Sequence, residues 1–273
     1  MWGGFSASQN TSVNPGTVDF TSYCVTAPVD SRLPGGGGYQ ICGVYDVIPA
    51  KFGQSTTVVS RASTEGGNQT EVYNGFDAVL NIRLSRRINI NGGVNTGRTV
   101  TNNCGLAQDN LQFAISTTLP STPHTKEYCD VVPPWSASTQ VKLSGAFPLP
   151  YDFQVATTYQ NLPGIPYSAT ATFTNAQVVP SLIRNLSAGP NATVSIPLIA
   201  PSTVFEGRIQ QLDFRFSRTF RLAGKRIEPE FDIYNALNAS PILSVNNTYG
   251  PLWRTPTQIL SGRLLKLGFQ MTF

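Results

Sequence analysis

RLLKLGFQMTF, residues Arg263–Phe273, decides how the rest of the chain is read. Leu265, Leu267, Phe269, Met271 and Phe273 are apolar, and Lys266, Gly268, Gln270 and Thr272 between them are polar or small. Successive side chains of a strand point to opposite faces, so this alternation is the period of two of a β-strand. Soluble strands usually run about 5–6 residues, whereas a strand crossing a bilayer needs about 9–11. With the odd positions against lipid and the even ones toward a polar lumen, the segment is predicted to be a transmembrane β-barrel strand.

The same pattern recurs upstream. Phe76, Ala78, Leu80, Ile82 and Leu84 share one face of Glu71–Leu84, with Asp77, Asn81 and Arg83 on the other. A turn at Ser85–Arg87 leads to Ile88, Ile90, Gly92 and Val94, which alternate with asparagines and Gly93, as in a hairpin. Val141–Phe147 and Phe153–Tyr159, joined by PLPYD (Pro148–Asp152), repeat the module. So do Leu212–Phe216 and Ile227–Ile233, joined by RLAGKR (Arg221–Arg226). Met1–Asn10 alternates over a shorter span, and Gln54–Ser63 is a further strand candidate in a projecting hairpin. The expected architecture is all-β and antiparallel: a partial transmembrane barrel spanning residues 1–273, with about eight crossings. Short turns lie at one end; Thr11–Gly53, Thr101–Pro134, Leu162–Gly207 and Ala236–Leu260 form long loops at the other. Short periplasmic turns and long outer loops are the asymmetry of outer-membrane barrels. Phe147, Tyr151, Phe153, Phe220 and Phe273 collect at the turn end, and Trp135, Tyr159 and Tyr234 nearer the other, as aromatic girdles require. A secreted β-sandwich, the competing reading, predicts strands at regular spacings of about 8–12 residues instead.

Composition agrees. Charged residues make up 12% of the 273, about half the usual share of roughly 25%. The 24 glycines and 20 prolines favour turns and strands. No apolar run is long enough for a transmembrane helix. The net charge of +4 comes without a basic run, so no nucleic-acid partner is expected. Cys24/Cys42 and Cys104/Cys129 form two local pairs in polar segments, candidates for two disulfides made outside the cytosol. Met1 opens directly on WGGFSASQN, so no signal peptide is predicted.

Signals for chemistry are weak, and no enzyme activity, cofactor or metal is predicted. His124 is the only histidine and no nucleophile motif accompanies it. Gly35–Gly38 lacks the GK[ST] that would make it a phosphate cradle. Tyr23, Tyr39, Tyr45 and Trp253 suit packing among the loops better than a ligand platform. Glu228, Glu230 and Asp232 share a strand face at spacings of about 6.5–7 Å, within the range of paired catalytic carboxylates. Asp213, Arg215 and Lys266 share that face, however, so a cross-strand charge ladder lining a lumen accounts for all six.

FDIYNALN (Phe231–Asn238), YGPLWRTP (Tyr249–Pro256) and ILSGRLLKLGFQMTF (Ile259–Phe273) resemble the C-terminal end of TonB-dependent outer-membrane receptors. The likeness is to the acidobacterial branch with a carboxypeptidase-regulatory-like N-terminal domain. APVDSRLPGGGGYQICGVYDV (Ala27–Val47), VYNGFDAVLNIRL (Val72–Leu84), GGVNTGRT (Gly92–Thr99) and RNLSAGPNATV (Arg184–Val194) resemble it too. The resemblance implies the wall of a barrel of about 22 strands with a plugged lumen, in the bacterial outer membrane. It also implies uptake of a small-molecule, glycan or peptide nutrient, with the TonB complex engaged only through a plug. No plug, Ton box or signal peptide is recognised here, so the expectation is a C-terminal fragment not competent alone. A free-standing barrel serving as adhesin or structural protein is the alternative. The expected partners are outer-membrane lipid and the barrel-assembly machinery. The resemblance makes Leu267, Phe269, Met271 and Phe273 the signal that this machinery reads.

Overall fold

Alternating apolar side chains produce long strands, and tight turns set their order. The computed structural model describes residues 6–14, 16–61, 69–84, 88–105, 110–114 and 122–273. The chain opens with β1 (Ser6–Asn10), β2 (Phe20–Thr26), β3 (Gln40–Val47) and β4 (Thr57–Arg61). A long hairpin follows, β5 (Thr70–Leu84) and β6 (Ile88–Asn102), then a helical turn α1 (Lys126–Cys129) and β7 (Asp130–Val131). A second hairpin comprises β8 (Gln140–Leu149) and β9 (Phe153–Leu162). Then come β10 (Thr170–Thr174), helix α2 (Asn175–Leu182) and β11 (Thr193–Pro197). The third hairpin is β12 (Ile209–Arg218) with its extension β13 (Phe220–Leu222), returning as β14 (Lys225–Tyr234). Finally β15 (Ile242–Val245) and β16 (Pro256–Ile259) lead to β17 (Leu264–Thr272).

Seven of these strands make one antiparallel meander in the order β5-β6-β8-β9-β12-β14-β17. The register brings residues of equal parity together across the whole sheet. Arg83, Asn89, Ala146, Ala156, Arg215, Asp232 and Lys266 form one continuous cross-strand row. On the opposite face Val155, Phe216, Phe231 and Leu267 form another. A slip of one residue would exchange the faces, so this matching shows that the pattern sets the pairing. Backbone geometry supports the short turns. Ala223 (φ 50°) and Gly224 (φ 79°) close the β13–β14 loop, and Tyr151 (φ 64°) and Asp152 (φ 60°) sit between β8 and β9. Positive φ at these positions matches the right-handed twist of the flanking strands.

At the other end the long connections fold on one another. Hairpins β2–β3 and β10–β11, helix α2 and the Trp253 segment enclose Tyr23, Val25, Val44, Phe173, Val178, Ile196, Leu198 and Trp253 in a dry core. Trp253 donates its indole N–H to the Ser168 carbonyl at 2.8 Å. Gln177 accepts from the Thr174 amide at 2.9 Å and so caps the start of α2. Arg184 anchors the loop after α2 onto β3 through Asp46, at 2.5 Å. Disulfide Cys24–Cys42 ties β2 to β3, and Cys104–Cys129 ties the end of β6 to α1. Bridges over 18 and 25 residues remove unfolded-state entropy of about 3 kcal/mol each.

Three expectations change. The segment Met1–Asn10 was expected as an eighth crossing; Ser6–Asn10 pairs instead with β4, apart from the sheet, and Met1–Phe5 lie outside the described residues. β1 is too short and too polar (SASQN) to compete for the long β5 edge. Among the described residues the sheet therefore has seven long strands, not eight, and does not close. The stretches expected as loops contain hairpins, a helix and the protein's main core. The Ser85–Arg87 turn lies outside the described residues.

Candidate functional site

The polar face of the third hairpin concentrates the charge. Its alternation places Asp213, Arg215 and Ser217 of β12 on the side that carries Glu228, Glu230 and Asp232 of β14. Arg215 and Asp232 are direct cross-strand partners, and the guanidinium grips the carboxylate with two bonds, at 2.7 and 3.0 Å. Lys266, paired with Asp232 from β17, approaches at 3.8 Å, and the Tyr234 hydroxyl donates to Asp232 at 3.2 Å. Arg215 also lies 3.5 Å from Glu230. Four of the six ladder residues thus meet at one point. Glu228 belongs instead to Arg226 (2.6 Å) and Ser217 (3.1 Å). Asp213 accepts from the Gln211 amide and from the Asn235 backbone at 2.7 Å. An open recess of about 280 Å³ lies here, lined by Thr158, Asp213, Arg215, Asp232 and Tyr234.

Every carboxylate of this cluster is held by a cation or by N–H and O–H donors. Such an arrangement fixes the carboxylates as a charged surface on one face of the sheet. Among the described residues no group of three His, Cys, Asp or Glu side chains could hold a metal. Asp232 is 3% exposed at its side chain but Arg215 is half in solvent, so the pair is worth less than a fully buried one. Asp232→Ala is expected to cost about 1–2 kcal/mol in urea unfolding. The double variant with Arg215→Ala should cost little more than Asp232→Ala alone; full additivity would mean the two side chains are not coupled.

The other face is apolar and uncovered. Leu267 is 82% and Phe269 75% exposed, and Met271 and Phe273 also face outward. Phe214, Phe216 and Phe231 stack in a file at centroid separations of 6.1 and 6.3 Å. Among the described residues β17 pairs only with β14, so the residues expected as the assembly signal lie on an open edge strand. The loop aromatics singled out in the sequence pack inside the protein. Tyr23 and Trp253 are core residues, Tyr39 donates to the Leu198 carbonyl at 2.7 Å, and Tyr45 meets His124 edge-on at 5.1 Å. The glycine run is a tight turn rather than a cradle. Gly36, Gly37 and Gly38 give their N–H groups to the carbonyls of Leu33, Pro34 and Ala27.

Ionisation in the capping subdomain follows its packing. Arg32 holds Asp30 well below the usual carboxylate range, helped by the Tyr249 hydroxyl at 3.1 Å. Burial pushes the Tyr23 and Tyr128 phenols well above their ordinary value of 10.0. A raised tyrosine pKa means that the folded state holds its proton more tightly than the unfolded state. The stabilisation is complete below pH 10.0 and is lost as pH rises above it. Alkaline titration at 295 nm should therefore show two of the ten tyrosines ionising only as the cap unfolds. Ten phenols titrating together with the fold intact would contradict this.

The alternation exposed most of the site, but it missed two cations at the short-turn end of the apolar face, Arg218 and Lys225. Their signal was their parity: Arg218 continues Leu212, Phe214 and Phe216 at every second position. No known protein family, curated protein or solved structure matches the chain.

Proposed function

We propose that this chain is part of the wall of a TonB-dependent outer-membrane receptor, with its apolar face in the bilayer and its charged face toward the lumen. The observation that carries this reading is the division of apolar residues. The dry cores lie in the capping segments, while none of the seven long strands contributes a buried hydrophobic residue to them. Phe76 at 62%, Leu267 and Phe269 stay open instead. A sandwich would have buried that face against a second sheet. Exposed apolar area on this scale needs a covering, and hydrocarbon fits its dimensions. The 10-residue strands β8, β9, β12 and β14 span about 34 Å each, and a tilt of about 40° reduces that to about 25 Å, the height of a barrel's apolar band.

In this reading the capped end is extracellular, the short turns are periplasmic, and the remaining strands and plug come from the rest of the receptor. The cap and the Arg215–Asp232–Lys266 face flank the path of a small-molecule, glycan or peptide nutrient, and the TonB complex acts through the plug. β17 presents Leu267, Phe269, Met271 and Phe273 to the barrel-assembly machinery. The test is fractionation of cells producing the protein. It should sediment with the outer membrane, resist carbonate and urea washes, and expose the cap to antibody on intact cells. Recovery in the soluble periplasm or the medium would reject the reading.

A further inference from the structure

At the short-turn end the apolar face carries cations where its aromatic rings are densest. Arg218, on the same face as Phe214 and Phe216, pairs across the ladder with Phe153. Its guanidinium lies 4.8 Å from the centre of the Phe153 ring and 4.6 Å from that of Phe220. The Nε of Arg218 is buried between them without a hydrogen-bond partner. Lys225, opposite Leu222 in the β13–β14 pair, holds its ammonium 4.7 Å from the Phe273 ring. Among the described residues neither cation has a carboxylate within 4.0 Å. The neighbouring acids are engaged elsewhere, Asp152 with Arg221 and Glu228 with Arg226.

Ring faces attract these cations but leave their charge unneutralised. A matching ligand supplies an anion at the cations and an apolar body for the surface beside them, where Leu222 and Phe269 are exposed. Free phosphate meets only the first requirement. An acidic phospholipid meets both, because long basic side chains at the border of an apolar band reach the headgroup layer. We propose that Arg218 and Lys225 form a site for the phosphates of acidic phospholipids, whose acyl chains lie along Phe216, Ile227 and Phe231. The proposal rests on the membrane reading above and places these lipids in the leaflet on the short-turn side.

The test uses the protein purified from membranes and reconstituted in bilayers. Electron paramagnetic resonance of spin-labelled phosphatidylglycerol and phosphatidylcholine gives their relative association with the protein surface. A preference of about fivefold per cation is expected for phosphatidylglycerol at low salt, weakening as salt rises. R218Q/K225Q should bring the ratio near one. R83Q/K142Q removes the same charge from the polar face and should leave it unchanged. An unaltered ratio in R218Q/K225Q, or no preference in the unmodified protein, overturns the proposal while the membrane reading stands. Loss of the preference on adding millimolar inorganic phosphate would make free phosphate the ligand and also overturn it. A protein that does not enter bilayers overturns both.

Discussion

Replacing Leu267 with arginine is expected to abolish most insertion of the protein into lipid vesicles while leaving the cap folded. Leu267 lies midway along β17, and its side chain touches little within the chain, being 82% exposed. In water such a substitution changes stability by no more than about 0.5 kcal/mol. Against the hydrocarbon midplane an arginine costs about 2–4 kcal/mol, which lowers the inserted fraction by roughly thirty- to a thousandfold. The measurement is the folded, protease-protected fraction in vesicles across a urea series. Lys266→Gln, one residue away on the polar face, is the control and should change insertion little. Equal insertion of Leu267→Arg and the unmodified protein would mean that lipid does not cover this face.

Trp253→Ala should unfold the cap more than any surface change. The side chain is 2% exposed, packs with Tyr167 and Tyr249, and donates its indole N–H to Ser168. Emptying so large a buried volume costs about 3–5 kcal/mol, and the Ser168 carbonyl also loses its donor. Hydrogen exchange of the β2–β3 and β10–β11 amides would report the loss, with the sheet amides as internal reference. A change below about 1 kcal/mol would show that the cap is held by its disulfides and polar anchors rather than by this core.

Strand positions were legible because their signal is long. Within β5, β12, β14 and β17 the alternation persists over five to nine residues, and the register brings equal parities together. Parity places Arg215, Asp232 and Lys266 on one face, and the register of the folded sheet makes them direct cross-strand neighbours. The cap was not legible, for local reasons. Its strands β10 and β11 have five residues each, within the range of ordinary loop composition. The β2–β3 pairing shifts register between Tyr23 and Val25, and Gly43 opposite has φ 75°, so the alternation in β3 breaks midway. Helix α2 carries Pro180 inside its eight residues, which hides its period. In the sequence Arg218 resembles the end of a strand, because a charge interrupts the apolar file; its environment emerges only when Phe153 and Phe220 arrive from other parts of the ladder.

The direction of the two outermost strands has a geometric consequence. β5 and β17 both descend from the capped end toward the turns, as the first and last members of a seven-strand meander must. Joining them directly would create a parallel seam. Two copies abutted edge to edge in one membrane orientation would meet in the same way. A finished cylinder with antiparallel neighbours throughout therefore needs an odd number of additional staves between these edges, and the total comes out even, as bacterial outer-membrane barrels have it.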